Sequence, residues 1–184
     1  MVRSATPGDA RAIATIHVEA WQAAYRGIVP SEYLDSLSID SREPVWRKIL
    51  LAAETSTWVA EESDVIVGWI SAGRSRDTDG GSLAGEVWAV YVAPAFWGKG
   101  VGRSLYARAE QHLRAEGFNA VTLWVLKDNE RAVKFYHSIG FVLDIGATKE
   151  IVRGDKTLSE VRFRKSLIAD TSRLRGSGAS NESL

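Results

Sequence analysis

The stretch VYVAPAFWGKGVGRSLYARAEQHL, residues 90–113, passes from a β-type run to a helical run through glycines at 98, 100 and 102. Glycine in a helix costs about 1 kcal/mol relative to alanine, so three at alternate positions point to a need for bare backbone. The first amides of a helix have no intrahelical acceptor and sit at the positive end of its dipole. With no side chains at Gly98, Gly100 and Gly102, anionic oxygens can reach those amides, and Lys99 and Arg103 add attraction from longer range. The junction therefore reads as an anion cradle; its plainer alternative is a tight turn. In both cases a strand feeds directly into a packed helix, which confines the chain to a layered fold of sheet and helices.

Two common phosphate sites do not match. A nucleotide-binding P-loop needs Gly-x-x-x-x-Gly-Lys-Ser/Thr, and the Lys-Ser/Thr ending is missing. The dinucleotide fingerprint Gly-x-Gly-x-x-Gly is missing too, and no acidic residue stands at the expected distance on a following strand.

The rest parses into alternating elements. VRSAT is a short strand, and Pro7 and Asp9 start a helix whose inner face carries Ile13, His17, Trp21 and Ala24. SEYLDSL is a short helix capped by Ser31, and Arg42 to Ala53 is a third, with Val45, Ile49 and Leu50 inward. TSTWVAEE and VIVGWISAGR form a hairpin across Ser63-Asp64, and GEVWAVYVAP is the strand leading to the cradle. The helix from 101 to 115, the strand AVTLWVL, a helix capped by Asp128/Asn129 and a hairpin across RGDK complete the pattern. The expected fold is α/β (α+β): a mixed, mostly antiparallel twisted sheet of about six to seven strands flanked by helices. Residues 1–168 form the domain; the polar, glycine- and serine-rich tail 169–184 is expected to be disordered.

With 23 basic and 23 acidic residues, the chain offers no charge argument for nucleic acid or an anionic membrane as partner. The absence of cysteine excludes disulfides, thiolate metal sites and a covalent cysteine nucleophile. His17, His112 and His137 have no metal-ligand spacing, so no metal is expected. The N-terminus lacks an apolar signal core and the longest apolar run, Val87 to Trp97, is too short to span a bilayer; a cytoplasmic location is expected.

The segment WGKGVGRSL is similar to the acyl-CoA-binding motif of the GNAT superfamily of N-acetyltransferases, Gln/Arg-x-x-Gly-x-Gly/Ala, with Gly100 and Gly102 on its glycines and Trp97 in place of Gln or Arg. LWVLKDNERAVKFYHSIGFVLD, residues 123–144, resembles the family's second block, and the element order matches over approximately residues 2–166. The opening IHVEAWQAAYRGIVPSEYLDSL resembles small, stand-alone bacterial-type members. The resemblance implies acetyl-CoA as cofactor and central strands splayed into a slot for it. Trp97, Gly98, Lys99, Gly100, Val101, Gly102, Arg103 and Ser104 would hold the diphosphate. Val90 and Val92 would offer a strand edge to the pantetheine arm, which Asn129 also touches. Dimerisation is common in the family.

Transfer to an amine needs the neutral amine, and at pH 7 a lysine-like amine is more than three pH units from deprotonation, on the order of 4 kcal/mol. Glu86 is the base expected here, on the same strand face as Trp88, Val90 and Val92 with its pKa raised by burial; it also reads as a strand-start glutamate in solvent. Family resemblance assigns the oxyanion donor to the Val90 N–H and the thiolate-protonating acid to Tyr136, which by itself also reads as a core aromatic. Trp21, Tyr25 and Tyr33 are expected to wall a pocket for a small-molecule or peptide primary amine, attacked directly in a ternary complex; they also read as core. Two alternatives stand beside this reading: a non-catalytic acyl-CoA-binding module, and an acyltransferase with another acyl group or acceptor.

Overall fold

The computed structural model describes residues 1–52, 56–79, 81 and 83–168, so the tail expected to be disordered lies outside the described residues. Its elements are β1 (Val2–Ser4), α1 (Ala10–Ala24), α2 (Ser31–Asp35), α3 (Ile39–Ala52), β2 (Ser56–Glu62), β3 (Val65–Arg74), β4 (Ala84–Val92), α4 (Val101–Ala115), β5 (Ala120–Leu126), α5 (Glu130–Ser138), β6 (Val142–Arg153) and β7 (Lys156–Ser166). They build one sheet in the order β1-β2-β3-β4-β5-β7-β6. Every neighbouring pair is antiparallel except β4 with β5. This is the expected α/β class, with seven strands.

Each face of the sheet is covered by helices whose apolar side chains recur at helical spacing. Leu105, Ala109 and Leu113 of α4 are fully buried against Val67, Ile70, Val87 and Val121. Burying a leucine side chain contributes roughly 2 kcal/mol, so this stripe holds α4 firmly and fixes where its N-terminus lies. On the opposite face Ile13 and Ala14 of α1 and Trp46 of α3 pack on Val59 and Trp69. The inner side of α3 thus differs from expectation. Val45 is exposed and Trp46 is buried, because the helix begins at Ile39 and carries Pro44 inside it. Ser31 is likewise not a cap: Pro30 holds that position in extended backbone.

Two irregularities make room for a site. The parallel pairing of β4 with β5 stops after Ala84↔Ala120, Gly85↔Val121 and Glu86↔Thr122, and the two strands then part. In addition, β4 carries a bulge: Ser71 pairs with Ala89 but Ala72 pairs with Val87, leaving Trp88 as an extra residue.

Candidate active site

A cavity of about 510 Å³ occupies the wedge between β4 and β5. It is lined from both layers, by Val92, Gly100, Gly102 and Phe135 on the α4–α5 side and by Trp21, Tyr25 and Tyr91 on the α1 side. It therefore passes through the sheet.

At one end lies the glycine junction. Gly100 caps α4 with φ 85°, and a Cβ built there would meet nothing within 4 Å. A left-handed conformation costs a non-glycine residue roughly 1–2 kcal/mol, while the space beside it stays open. At Gly102 the reason for glycine is different: a Cβ would come within 3.3 Å of the Phe135 ring. The first intrahelical donor is Ser104 N–H, which bonds Gly100 O at 3.0 Å. The amides of Val101, Gly102 and Arg103 precede it and lack intrahelical acceptors. Open amides, a helix dipole and a cavity over glycine backbone fit the diphosphate of acetyl-CoA.

Gly98, Val101 and Arg103 also line the cavity, as expected. Lys99 and Ser104 do not: the Lys99 ammonium lies 4.8 Å from the Phe96 ring centroid, and the Ser104 amide is already spent inside the helix. The second cation of the cradle is Arg131 of α5, whose guanidinium sits 3.5 Å from the Trp97 ring centroid. Trp97 in turn donates its Nε1–H to Val92 O at 2.8 Å. The indole thus ties the loop to the end of β4 and carries a cation on its face.

The register of β4 sets which backbone groups enter the wedge. Ala93 N–H bonds Val67 O at 2.9 Å, on the β3 side. By the alternation of an antiparallel pair, Tyr91 also points its N–H and C=O toward β3, whereas Val90 and Val92 point theirs toward β5. With β5 splayed away, the Val90 N–H faces the cavity.

Glu86 is not among the cavity's lining residues. It is fully buried, and its carboxylate accepts from the Arg76 backbone N–H at 2.9 Å and Arg76 Nε at 3.1 Å. The expected common face with Val90 and Val92 is broken by the Trp88 bulge, which reverses the strand's alternation. Val87, Val90 and Val92 pack with α4, while Ala89 and Tyr91 pack with α1 and α3. Glu86, one residue before Val87, falls on the second side. Among the described residues, the carboxylate that lines the cavity is Glu160 of β7, 3.3 Å from Lys149 Nζ.

Tyr136 of α5 lines the cavity and is also core, with its ring against Phe135, Phe141 and Phe163. Burial, reinforced by Tyr91, raises its pKa above the ordinary phenol value, so its hydroxyl keeps its proton throughout the neutral range. Asn129 lines the cavity too, and its Oδ1 accepts from Ala132 N–H at 3.2 Å as the cap of α5.

Beyond Tyr136 the walls are aromatic: Trp21, Tyr25, Trp88, Tyr91 and Trp124. Burial raises the Tyr25 pKa to about 12, partly offset by polar contact with Tyr91 and Asn129. Tyr33 is not a wall; it stands behind Trp21, with ring centroids 6.3 Å apart, and braces Gly154. Arg162 fastens this end of the cavity. It bonds Asp77 at 3.2 Å, Asp79 at 2.6 Å and Asp144 at 2.8 Å, and Asp77 also accepts from Trp124 Nε1 at 2.9 Å. Sequence reasoning missed Arg131, Tyr91, Trp124, Arg153 and Glu160. The one local signal was the alternation Glu160, Arg162 against Val161, Phe163, which puts two charges on one strand face.

The model of the acetyltransferase (GNAT) family matches residues 15–141. An uncharacterized N-acetyltransferase of Bacillus subtilis (strain 168), YuaI, is 32% identical over 138 residues, spanning 74% of this chain and 77% of that protein. Among solved structures, the PaiA N-acetyltransferase of Thermoplasma acidophilum in complex with coenzyme A superposes with TM-score 0.71 at 19% identity, over 90% of this chain and 98% of that one. YncA of Salmonella typhimurium, solved with acetyl-CoA, gives TM-score 0.68 at 24% identity over 100% and 98%.

Proposed function

The chain belongs to the acetyltransferase (GNAT) family and is an acyltransferase whose cofactor is acetyl-CoA; on that premise we propose that it acetylates a primary amine by direct attack in a ternary complex. The observation carrying this reading is one cavity that joins an anion cradle to an aromatic chamber through the wedge of β4 and β5. Two ligands entering from opposite faces of the sheet would meet beside Val90 and Tyr136.

When bound, acetyl-CoA supplies an activated thioester that an amine can attack with release of the thiol. The amides of Val101, Gly102 and Arg103 and the guanidiniums of Arg103 and Arg131 bind its diphosphate. The wedge-facing groups of Val90 and Val92 align the pantetheine arm, although the Val92 carbonyl is already engaged by Trp97. The Val90 N–H then stabilises negative charge at the acetyl oxygen. Glu160, through its free oxygen or one water, takes the proton of the amine, and the aromatic chamber keeps bulk water away. The Tyr136 hydroxyl donates to the departing sulfur; with its raised pKa it serves as a hydrogen-bond donor more than as a full acid. The test is release of free CoA from acetyl-CoA across a panel of primary amines. Failure to bind acetyl-CoA, or absence of CoA release with every amine of the panel, would overturn the proposal.

A further inference from the structure

Arg153, at the end of β6, lines the cavity at its aromatic end. Its guanidinium lies 5.8 Å from the Trp21 ring centroid, one terminal nitrogen donates to its neighbour Val152 O at 2.9 Å, and its buried Nε has no partner. Among the described residues no carboxylate forms an ion pair with it. The hairpin tip that carries it is braced twice. Gly154 sits where a Cβ would come within 3.5–3.8 Å of Tyr33 and Pro30, and Lys156 Nζ donates to Ile28 O at 2.8 Å. A guanidinium held in a cavity without a counter-charge is unfavourable unless a ligand supplies one.

The two cationic ends of the cavity have different owners. Arg103 and Arg131 flank the cradle at α4 and serve the cofactor's phosphates. Arg153 stands on the hairpin beside Trp21, where the acceptor enters. Lys149, Ile151 and Arg153 alternate on one face of β6, and Lys149 is paired in register with Glu160. Four residues of strand separate Arg153 from that pair, roughly 13 Å of backbone. The side chains of Arg153 and Glu160 line the same cavity and are long enough to shorten that gap.

We propose that the acceptor is an α-amino acid with an apolar or aromatic side chain, whose carboxylate binds Arg153 while its amine is presented toward Glu160. This rests on the acetyltransferase reading above. The reaction forms the N–C bond of an N-acetyl amino acid and breaks the thioester C–S bond. One amine proton leaves by way of Glu160, and CoA departs as the thiol.

The experiment compares matched pairs: L-phenylalanine with phenethylamine, and L-leucine with isoamylamine. Turnover is measured with acetyl-CoA, and binding of the N-acetylated products to the free protein by calorimetry, in wild type, Arg153→Gln and Arg153→Lys. At least tenfold preference for the carboxylate partner is expected in both readouts. Arg153→Gln should remove it through KM with kcat little changed, and Arg153→Lys should restore part of it. Equal binding of carboxylate and carboxylate-free partners, or equal weakening of both by Arg153→Gln, would overturn the proposal. If carboxylate-free amines are acetylated as well as the amino acids, the acetyltransferase reading stands and only this inference falls. If no amine reacts, either here or across the wider panel, the amine-acetylation reading fails, and the calorimetric comparison still decides the role of Arg153.

Discussion

Arg76 closes over the carboxylate of Glu86, donating from its backbone N–H at 2.9 Å and from Nε at 3.1 Å to the same oxygen, while a terminal nitrogen bonds the other. Glu86 is 2% exposed and the Arg76 side chain 63%, so the carboxylate has left water and the guanidinium has not. Such a pair anchors the loop after β3. Glu86→Gln should lower stability by about 1–3 kcal/mol through the lost charge-assisted bonds and reduce kcat less than tenfold. Urea unfolding and steady-state kinetics measure both. A loss of kcat beyond a hundredfold with stability unchanged would return the base to Glu86.

Glu160 carries the opposite expectation. Glu160→Gln removes the carboxylate that lines the cavity while keeping its shape. The rate at pH 7 should fall on the order of 10²- to 10⁴-fold, with acetyl-CoA affinity unchanged by calorimetry. The loss should shrink at high pH, where the free amine is abundant without a base. A deficit independent of pH would make Glu160 a positioning group only.

Tyr136 serves packing and chemistry together, and Tyr136→Phe separates them. The ring contacts with Phe135, Phe141 and Phe163 survive the substitution, so thermal stability should hardly change. Turnover should slow roughly tenfold to a thousandfold. An unchanged rate would leave Tyr136 a core aromatic alone.

The cradle could be read in the sequence because its main causes are local, a positive φ at Gly100 and unpaired amides in the first turn of α4, whereas the crowding of Gly102 by Phe135 is a tertiary contact. The order of elements along the chain and the fold class followed from the periods of the segments, whereas the strand order of the sheet came from the structure. The face of Glu86 could not be read. A period-2 rule holds until a bulge, and the bulge at Trp88 arises in pairing with β3. Arg153 and Glu160 were hidden for a related reason: the last hairpin reaches α1 and α2 across more than a hundred residues of chain. Tyr33 was misplaced because α2, at five residues, is too short for periodicity to choose its inner side.

Trp97 links cofactor binding to the end of β4. Trp97→Phe keeps an aromatic face for Arg131 but deletes the Nε1–H bond to Val92 O, freeing that carbonyl and loosening the loop before α4. Acetyl-CoA affinity should fall a few-fold. Trp97→Ala removes the platform for Arg131 as well, worth about 0.5–2 kcal/mol as a cation–π contact, and should weaken binding tenfold or more. Calorimetry with CoA measures both. Equal effects of the two substitutions would show that Arg131 contributes nothing through the indole.

His17 sets an acid limit on the fold. Its ring stacks on Tyr91 at 5.1 Å and lies 5.7 Å from Trp69 and 5.8 Å from Trp21, with a buried Nδ1 that has no partner. Burial, helped by the charge of Arg42, pushes its pKa down from 6.5 to about 3. The folded protein therefore holds His17 neutral where the unfolded chain takes a proton. This contribution to stability is complete above pH 6.5 and is lost as the pH falls toward 3. Linkage gives about 1.4 kcal/mol per pH unit, hence roughly 2–3 kcal/mol between pH 6.5 and 4.5. Asp9, held by Arg3 down to about 2 from an ordinary 3.8, titrates below that window and does not confuse it. His17→Phe keeps an aromatic ring in the nest and has no proton to take. Urea unfolding at pH 7 and pH 4.5 should show the wild type losing about 2–3 kcal/mol more than the variant. Equal losses in the two proteins would mean that His17 accepts its proton in the folded state, and that its aromatic surroundings are open to water.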